Sequence, residues 1–308
     1  MDFYIGNTDY QWYTFLSERD PEDINFWQPG GLINFRAIKP GAPFLLRLKS
    51  PVNKIAGIGF FASHSILPIH FAWEVFKERN GIDNYYEFYN KIKSYRTEKN
   101  SIDKNPNVGC IVLTDPIFFD RKDWIPVPEN WSKSIQQGKT YSTETEIGRK
   151  YWNQVQDIIK GYSKIEKDDV LQDIDPGYDY VFTKVRIGQG AFRVMVTDAY
   201  ARKCAITGEK TLPVLEAAHI KPYSISKLNK TSNGLLLRAD LHKLFDSGYI
   251  TVTKEHKVEI SKKIKEEFEN GREYYRYHGN SLIVLPRQEF DMPDREYLEW
   301  HNEKIYRG

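Results

Sequence analysis

The stretch KIEKDDVLQDIDPGYD, residues 164–179, is dominated by charge and runs into a Pro-Gly turn pair near its end. A segment with so few apolar side chains cannot bury enough surface to offset the entropy of ordering its backbone, so it reads as a linker. It divides a chain of 308 residues, long enough to build two cores. The expected organisation is a first domain over 1–140, a helical linker over 141–175 and a second domain over 176–308. With 40% hydrophobic and 28% charged residues, both parts read as folded. A net charge of only +2 excludes a uniformly polycationic surface. Contact with nucleic acid would require lysines and arginines gathered locally.

Cys110 and Cys204 are the two cysteines. Thiols so few and so far apart exclude a disulfide-stapled scaffold and a four-cysteine zinc ribbon. The opening MDFYIGNTDY lacks the basic start and apolar core of a signal peptide, and no run of about 18 apolar residues is present to span a membrane. The expectation is a cytoplasmic protein with no membrane partner.

Residues 2–7 predict a short strand. RDPEDINFWQPGG is turn-rich, and INFRAIKPGAPFLLRLKSP gives two strand-like pieces broken at Pro40-Gly41. NKIAGIGFFAS predicts another strand, in which Gly57 and Gly59 mark a bulge or a close backbone approach. Helical spacing covers 69–79 and 84–95, and VGCIVLTDPIFF returns to a buried strand. Many strands with few helices suggest a small curved sheet or barrel. Residues 130–143 are polar and turn-prone, and TETEIGRKYWNQVQDIIKGYS predicts one helix with Gly161 near its end. The fold class is α+β.

LEAAHIKPYS, residues 215–224, places His219 behind two alanines. A lone histidine in an apolar strand is ordinarily a buried structural one. Beyond it, NGLLLRADLHKLFDSG predicts a helix over 239–247 in which Leu241, Leu244 and Phe245 share a buried face and Gly248 ends the run. His242 and Asp246, at i and i+4, project together, a pairing that suits a shared metal ion. The order is therefore strand with His219, loop, Asn233, helix with His242.

That order, carried by AAHIKP, NGLLLR and LHKLFD, resembles the HNH nucleases, whose ββα-metal unit sets a hairpin and one helix around a divalent cation. The resemblance implies a phosphodiester-cleaving endonuclease. His219 would be the general base, His242 and Asp246 would hold Mg2+ or Mn2+, and Asn233 would bond across the loop to keep His219 oriented. These residue types suit the chemistry: a neutral imidazole accepts a proton from water near pH 7, a cation offsets charge in the transition state, and a fixed base keeps its geometric advantage. Many such nucleases carry Asp or His just before the base, where Ala218 stands here. Glu216 either reaches the metal in its place or is a solvated glutamate. Some members hold the unit with zinc-bound cysteines; Cys204 has no CxxC partner and reads as a buried small hydrophobe.

Between Ala217 and Leu237 stand Lys221, Lys227 and Lys230 and no acidic residue, and Arg238 follows. They read as phosphate contacts beside the scissile bond or as an ordinary solvated loop. RIGQGAFR is similar to the segment preceding the motif in restriction-type HNH enzymes. The similarity implies backbone contacts from Arg186, Gln189 and Arg193, with an ordinary turn as the alternative.

An HNH unit carries little sequence specificity, so target choice falls to the first domain. There PGAPFLLRLKS and IAGIGFF, followed by NVGCIVLTDP, resemble the EVE branch of the PUA-like superfamily. The resemblance implies a modified base taken out of the duplex into an aromatic pocket, which needs flat walls and a few polar groups at the base edge. Candidate walls are Trp27, in a Gly/Pro-rich loop, with Trp12, Tyr13, Phe26 and Trp73; each has core packing as its alternative. Lys49, Ser50 and Asn53 are candidates for phosphate or base-edge contact. The combined reading is a modification-dependent restriction endonuclease acting on double-stranded DNA that contains 5-methyl- or 5-hydroxymethylcytosine. Symmetric cleavage would favour a homodimer. The alternatives are a non-catalytic reader of modified nucleic acid, and an HNH nuclease whose PUA-like domain binds RNA.

Overall fold

The computed structural model describes residues 1–31, 33–96, 105–162, 188–226 and 229–308; Arg186, Lys227 and the stretch 164–179 lie outside them. The chain forms two compact units, 1–191 and 192–308.

The first unit runs β1 (Asp2–Thr8), α1 (Tyr10–Ser17), β2 (Asp23–Gln28), β3 (Pro43–Leu48), β4 (Lys54–Pro68), α2 (Ile69–Phe76), α3 (Tyr85–Ser94), β5 (Asn107–Phe118), β6 (Ile125–Pro126), β7 (Gly138–Ser142) and α4 (Glu146–Tyr162). The sheet order is β2-β5-β4-β3-β1-β7, with β6 pairing β4. β1 and β3 are parallel, while the remaining pairs are antiparallel. The path is open, with β2 and β7 at its ends, so the sheet does not close into the barrel that was the alternative expectation.

Alternation along the strands feeds two cores. Tyr4, Phe44 and Leu46 pack on one face with Trp12, Tyr13 and Leu16 of α1. Phe3, Ile5 and Leu45 pack on the other with Tyr151, Trp152, Val155 and Ile159 of α4. A sheet covered on both faces needs nearly continuous apolar strands, which is why PFLLRL and VGCIVL read as runs rather than as alternating patterns. The helix expected to begin a linker, α4, is thus one wall of a core. Register shifts interrupt β4 at Ile58/Phe60 and Phe61/Ser63. A Cβ at Gly57 would lie 2.7 Å from the carbonyl oxygen of Ile117, so this glycine admits a close backbone approach.

Three local expectations are corrected. Of the two strand-like pieces around Pro40-Gly41, only β3 forms; residues 33–38 lie outside any strand. The Phe35 N–H there bonds Nδ1 of His64 at 3.3 Å instead of a ladder carbonyl. The turn-prone stretch 130–143 contains β7, which pairs with β1. Trp27 belongs to β2, opposite Cys110 of β5, rather than to a loop: the flanking Pro and Gly residues mark the ends of this strand, not its interior.

The helix α5 (Gln189–Ala199) leads into the second unit. There follow β8 (Leu215–His219), α6 (Tyr223–Ser226), β9 (Gly234–Arg238), α7 (Ala239–Asp246), β10 (Ile250–Val252), β11 (Val258–Ile260), α8 (Lys263–Phe268), α9 (Arg272–Tyr275) and α10 (Arg295–Lys304). β8 and β9 form an antiparallel hairpin in which His219 faces Gly234. Ala218, Leu235, Leu236, Leu237, Leu241 and Phe245 are fully buried, so the hairpin and the apolar stripe of α7 make one core. Gly248, at φ +76°, turns the chain out of α7. Among the described residues, no helix is long and apolar enough to cross a membrane.

Candidate active site and aromatic pocket

His219 stands at the last position of β8, where the ladder fixes its backbone. Its ring lies 3.9 Å from that of Phe192, nearly parallel at 9°. Gly234 makes the stack feasible, since a Cβ there would run into Val196 and approach the Phe192 ring to 3.1 Å. The Nε2 of His219 lies 2.7 Å from Oδ1 of Asn229. With that amide oxygen accepting, Nε2 carries the proton and Nδ1 keeps its lone pair. Burial holds the imidazole below its ordinary pKa; the Asn229 bond and the Asp246 charge oppose this, while His242 adds to it. A neutral ring with one free lone pair is the form a general base needs.

Asn233 is fully buried. Its Oδ1 accepts from the N–H of Lys221 and its Nδ2 donates to the carbonyl of the same residue, both at 2.9 Å. The side chain therefore closes the turn after His219 as a backbone ladder would. Two asparagines divide the work: Asn233 holds the loop, and Asn229 touches the ring. The sequence reading missed Asn229 and Phe192, because nothing in their spacing separates one loop asparagine or one helical phenylalanine from its neighbours.

On α7 the i, i+4 geometry brings His242 and Asp246 together, with Nε2 and Oδ2 3.2 Å apart. From β8, Oε2 of Glu216 reaches Nδ1 of the same ring at 2.7 Å. A neutral imidazole has a single N–H, so it cannot donate to both carboxylates. The second contact needs one more proton, on the ring or on a carboxylate, or a metal ion in its place. Asp246 titrates above the usual carboxylate range, first through desolvation and then through Glu216, against the opposing effect of His242 and His219. It also sits at a helix C-terminus, where a negative charge works against the helix dipole. Imidazole and carboxylate donors suit a divalent cation. The carboxylate side chains are 47% and 59% exposed, which leaves them room to turn toward one. As placed they bond the ring instead, and among the described residues no three such side chains converge as a ready-made cage.

The basic residues fall into different settings. Lys230 and Gln189 are exposed. Lys221 extends over Trp300, 5.5 Å from the ring centre. Arg238 is gripped by both oxygens of Asp240 at 2.6 and 2.7 Å, so its charge is matched within the chain. Arg193 is half-buried in α5.

In the first unit, a cavity of about 530 Å³ is lined in part by Trp12, Phe26, Trp27, Phe35, Lys49 and Tyr95. The indole N–H of Trp27 donates to the carbonyl of Asn80 at 2.9 Å, fixing that wall. Gln28 and Gln137, joined at 3.4 Å, bring amide groups to the same lining. Tyr13, Trp73, Ser50 and Asn53 lie elsewhere. The Tyr13 hydroxyl donates to the carbonyls of Ala56 and Phe119 inside the core, and Trp73 packs near Phe88. Asn53 accepts from the buried guanidinium of Arg47 at 2.7 Å, and Ser50 is exposed beside Pro51. Sequence reasoning missed Phe35, Tyr95, Gln28 and Gln137, which the sheet and loops gather from distant stretches.

Comparison with known proteins bears on the second unit: residues 204–253 match the HNH endonuclease family, so an HNH region lies within this unit. Particular solved structures resemble the chain at low identity. They include ASCH from Zymomonas mobilis, with 9% identity over 51% of this chain and 94% of that one at a TM-score of 0.31. Another is the modification dependent TagI restriction endonuclease, with 12% identity over 86% of this chain and 61% of that one at a TM-score of 0.28. No curated protein matches the chain.

Proposed function

We propose that the protein is a modification-dependent restriction endonuclease, with a PUA-like, EVE-type reader in the first unit and an HNH nuclease in the second. The observation that carries the catalytic part is the state of His219: partly buried, below its ordinary pKa, with Nε2 engaged by Asn229. His219 takes the proton of the attacking water at Nδ1. Phe192 and Asn229 hold the ring, and Asn233 holds the turn behind it. His242, Asp246 and Glu216 would bind a divalent cation, Mg2+ or Mn2+, which when present offsets charge on the scissile phosphate. Lys221 and Lys230 contact flanking phosphates. In the first unit, Trp27 and Trp12 flank a 5-methyl- or 5-hydroxymethylcytosine taken out of the duplex, with the amides of the lining facing its polar edge.

Incubation with matched modified and unmodified plasmids, in Mg2+, Mn2+ or EDTA, tests this reading. Cutting confined to modified plasmid and abolished by EDTA is the expected result. Cutting of both plasmids alike would leave a nuclease without a modified-base reader, and preferential binding of structured RNA would make the first unit an RNA module.

A further inference from the structure

A base that leaves a duplex leaves a gap, and the unstacking is costly unless something apolar fills the space. Among the side chains lining the aromatic cavity, the two large apolar ones turned most to solvent are Ile33, 75% exposed, and Tyr95, 47% exposed. Tyr95 is committed to the wall. Its ring lies 6.0 Å from that of Trp27, with the ammonium groups of Lys49 and Lys91 at 5.6 and 5.9 Å. Phe35 packs inward against Tyr4 and Phe61. Ile33 is left facing water at the edge of the cavity.

Two residues beyond Ile33, the N–H of Phe35 is held by Nδ1 of His64 at 3.3 Å. A β-branched side chain is stiff at χ1, so little rotamer freedom is lost when it is inserted. Arg36 and Lys49 line the same cavity and are exposed; the Lys49 ammonium lies over the Tyr95 ring, and Asp9 of the same lining pairs with Lys91 at 3.5 Å.

We propose that Ile33 is the wedge that enters the base stack when the modified base is extracted, with Arg36 and Lys49 holding the phosphates beside the gap. This rests on the reading of the first unit as a base-flipping module. A single exposed isoleucine is ordinary on a protein surface; its place in the lining of an aromatic cavity that also carries Arg36 and Lys49 gives it this role.

The test is binding of the full-length chain, in EDTA, to two duplexes containing one 5-hydroxymethylcytosine. In the first the base is paired with guanine; in the second it stands opposite adenine, already loosened from the stack. A 2-aminopurine beside it reports extraction through increased fluorescence. Ile33→Ala should weaken binding to the paired duplex by about tenfold and remove the fluorescence rise, yet change affinity for the mismatched duplex by less than about threefold, because unstacking is then already done. Ile33→Leu should restore most of the difference. Arg36→Ala with Lys49→Ala should weaken both duplexes alike and flatten the salt dependence. Equal loss on both duplexes, or none, with wild-type preference for modified DNA intact, would overturn the wedge alone. Wild-type protein that binds modified and unmodified duplex equally would overturn the base-flipping reading and the wedge with it.

Discussion

His219 is partly buried against Phe192, and that placement sets its titration. Burial disfavours the charged ring, and a cation at His242 would push the same way. A base acts only when deprotonated, so cleavage should fall as pH drops through a value below the ordinary 6.5 and hold from there to neutrality. A rate–pH profile whose acid limb lies above 6.5 would contradict this. His219→Ala should reduce the cleavage rate by roughly a hundredfold or more with DNA binding nearly unchanged; a variant within tenfold of wild type would remove His219 from the role of base. The contacts of His242 give a second measurement. Asp246→Ala should weaken Mn2+ binding by about tenfold and be partly rescued by excess metal. Calorimetric titration of Glu216→Gln then decides between a ligand, which would lower affinity similarly, and a carboxylate that merely orients the ring.

The elements differ in how plainly the sequence announces them. α7 was expected over 239–247 and forms over Ala239–Asp246, because three apolar side chains at helical spacing leave one way to bury them. The same spacing brings His242 to Asp246, and strand β8 puts Glu216 and His219 within reach. Trp27 was misread because Pro21, Pro29 and the Gly30-Gly31 pair make its surroundings look like a loop, while pairing with β5 decides the matter. Asn229 and Phe192 gain their places only when hairpin and helix close, which local pattern does not encode. α10 went unassigned in an aromatic-rich tail, yet it is tied in by His301. That ring stacks on Phe245 at 3.7 Å, donates from Nε2 to the Phe245 carbonyl at 3.1 Å and accepts from the Thr251 hydroxyl at 2.8 Å. Burial pushes its pKa down to about 4. The neutral ring is favoured in the folded state, so this contribution is complete above about 6.5 and is lost as pH falls toward about 4. It amounts to roughly 3 kcal/mol at about 1.4 kcal/mol per pH step. Thermal unfolding of wild type and His301→Gln across pH 7 to 4 checks it: the wild type should lose stability steeply over this range and the variant much less.

For the whole molecule, the proposed division of labour predicts separable functions. A fragment ending at residue 140 would strip α4 from a core that holds Tyr151, Trp152, Val155 and Ile159, and its loss should leave that fragment poorly folded. A fragment of residues 1–162 keeps the wall and should prefer modified over unmodified duplex in competition binding. Trp27→Phe should erode that preference while leaving weak, salt-sensitive attachment through lysines. Equal binding of modified and unmodified DNA by a folded 1–162 fragment would refute the division.

Trp27 is held at both ends, by the β2–β5 ladder and by its indole bond to Asn80. If the cavity takes a base as proposed, a wall so fastened would sort its guests as a gauge does, by refusing what does not slide in flat. New preferences would then come more readily from altering the amide rim at Gln28 and Gln137 than from softening the tryptophan. A lineage under pressure from newly decorated genomes would be expected to vary there first.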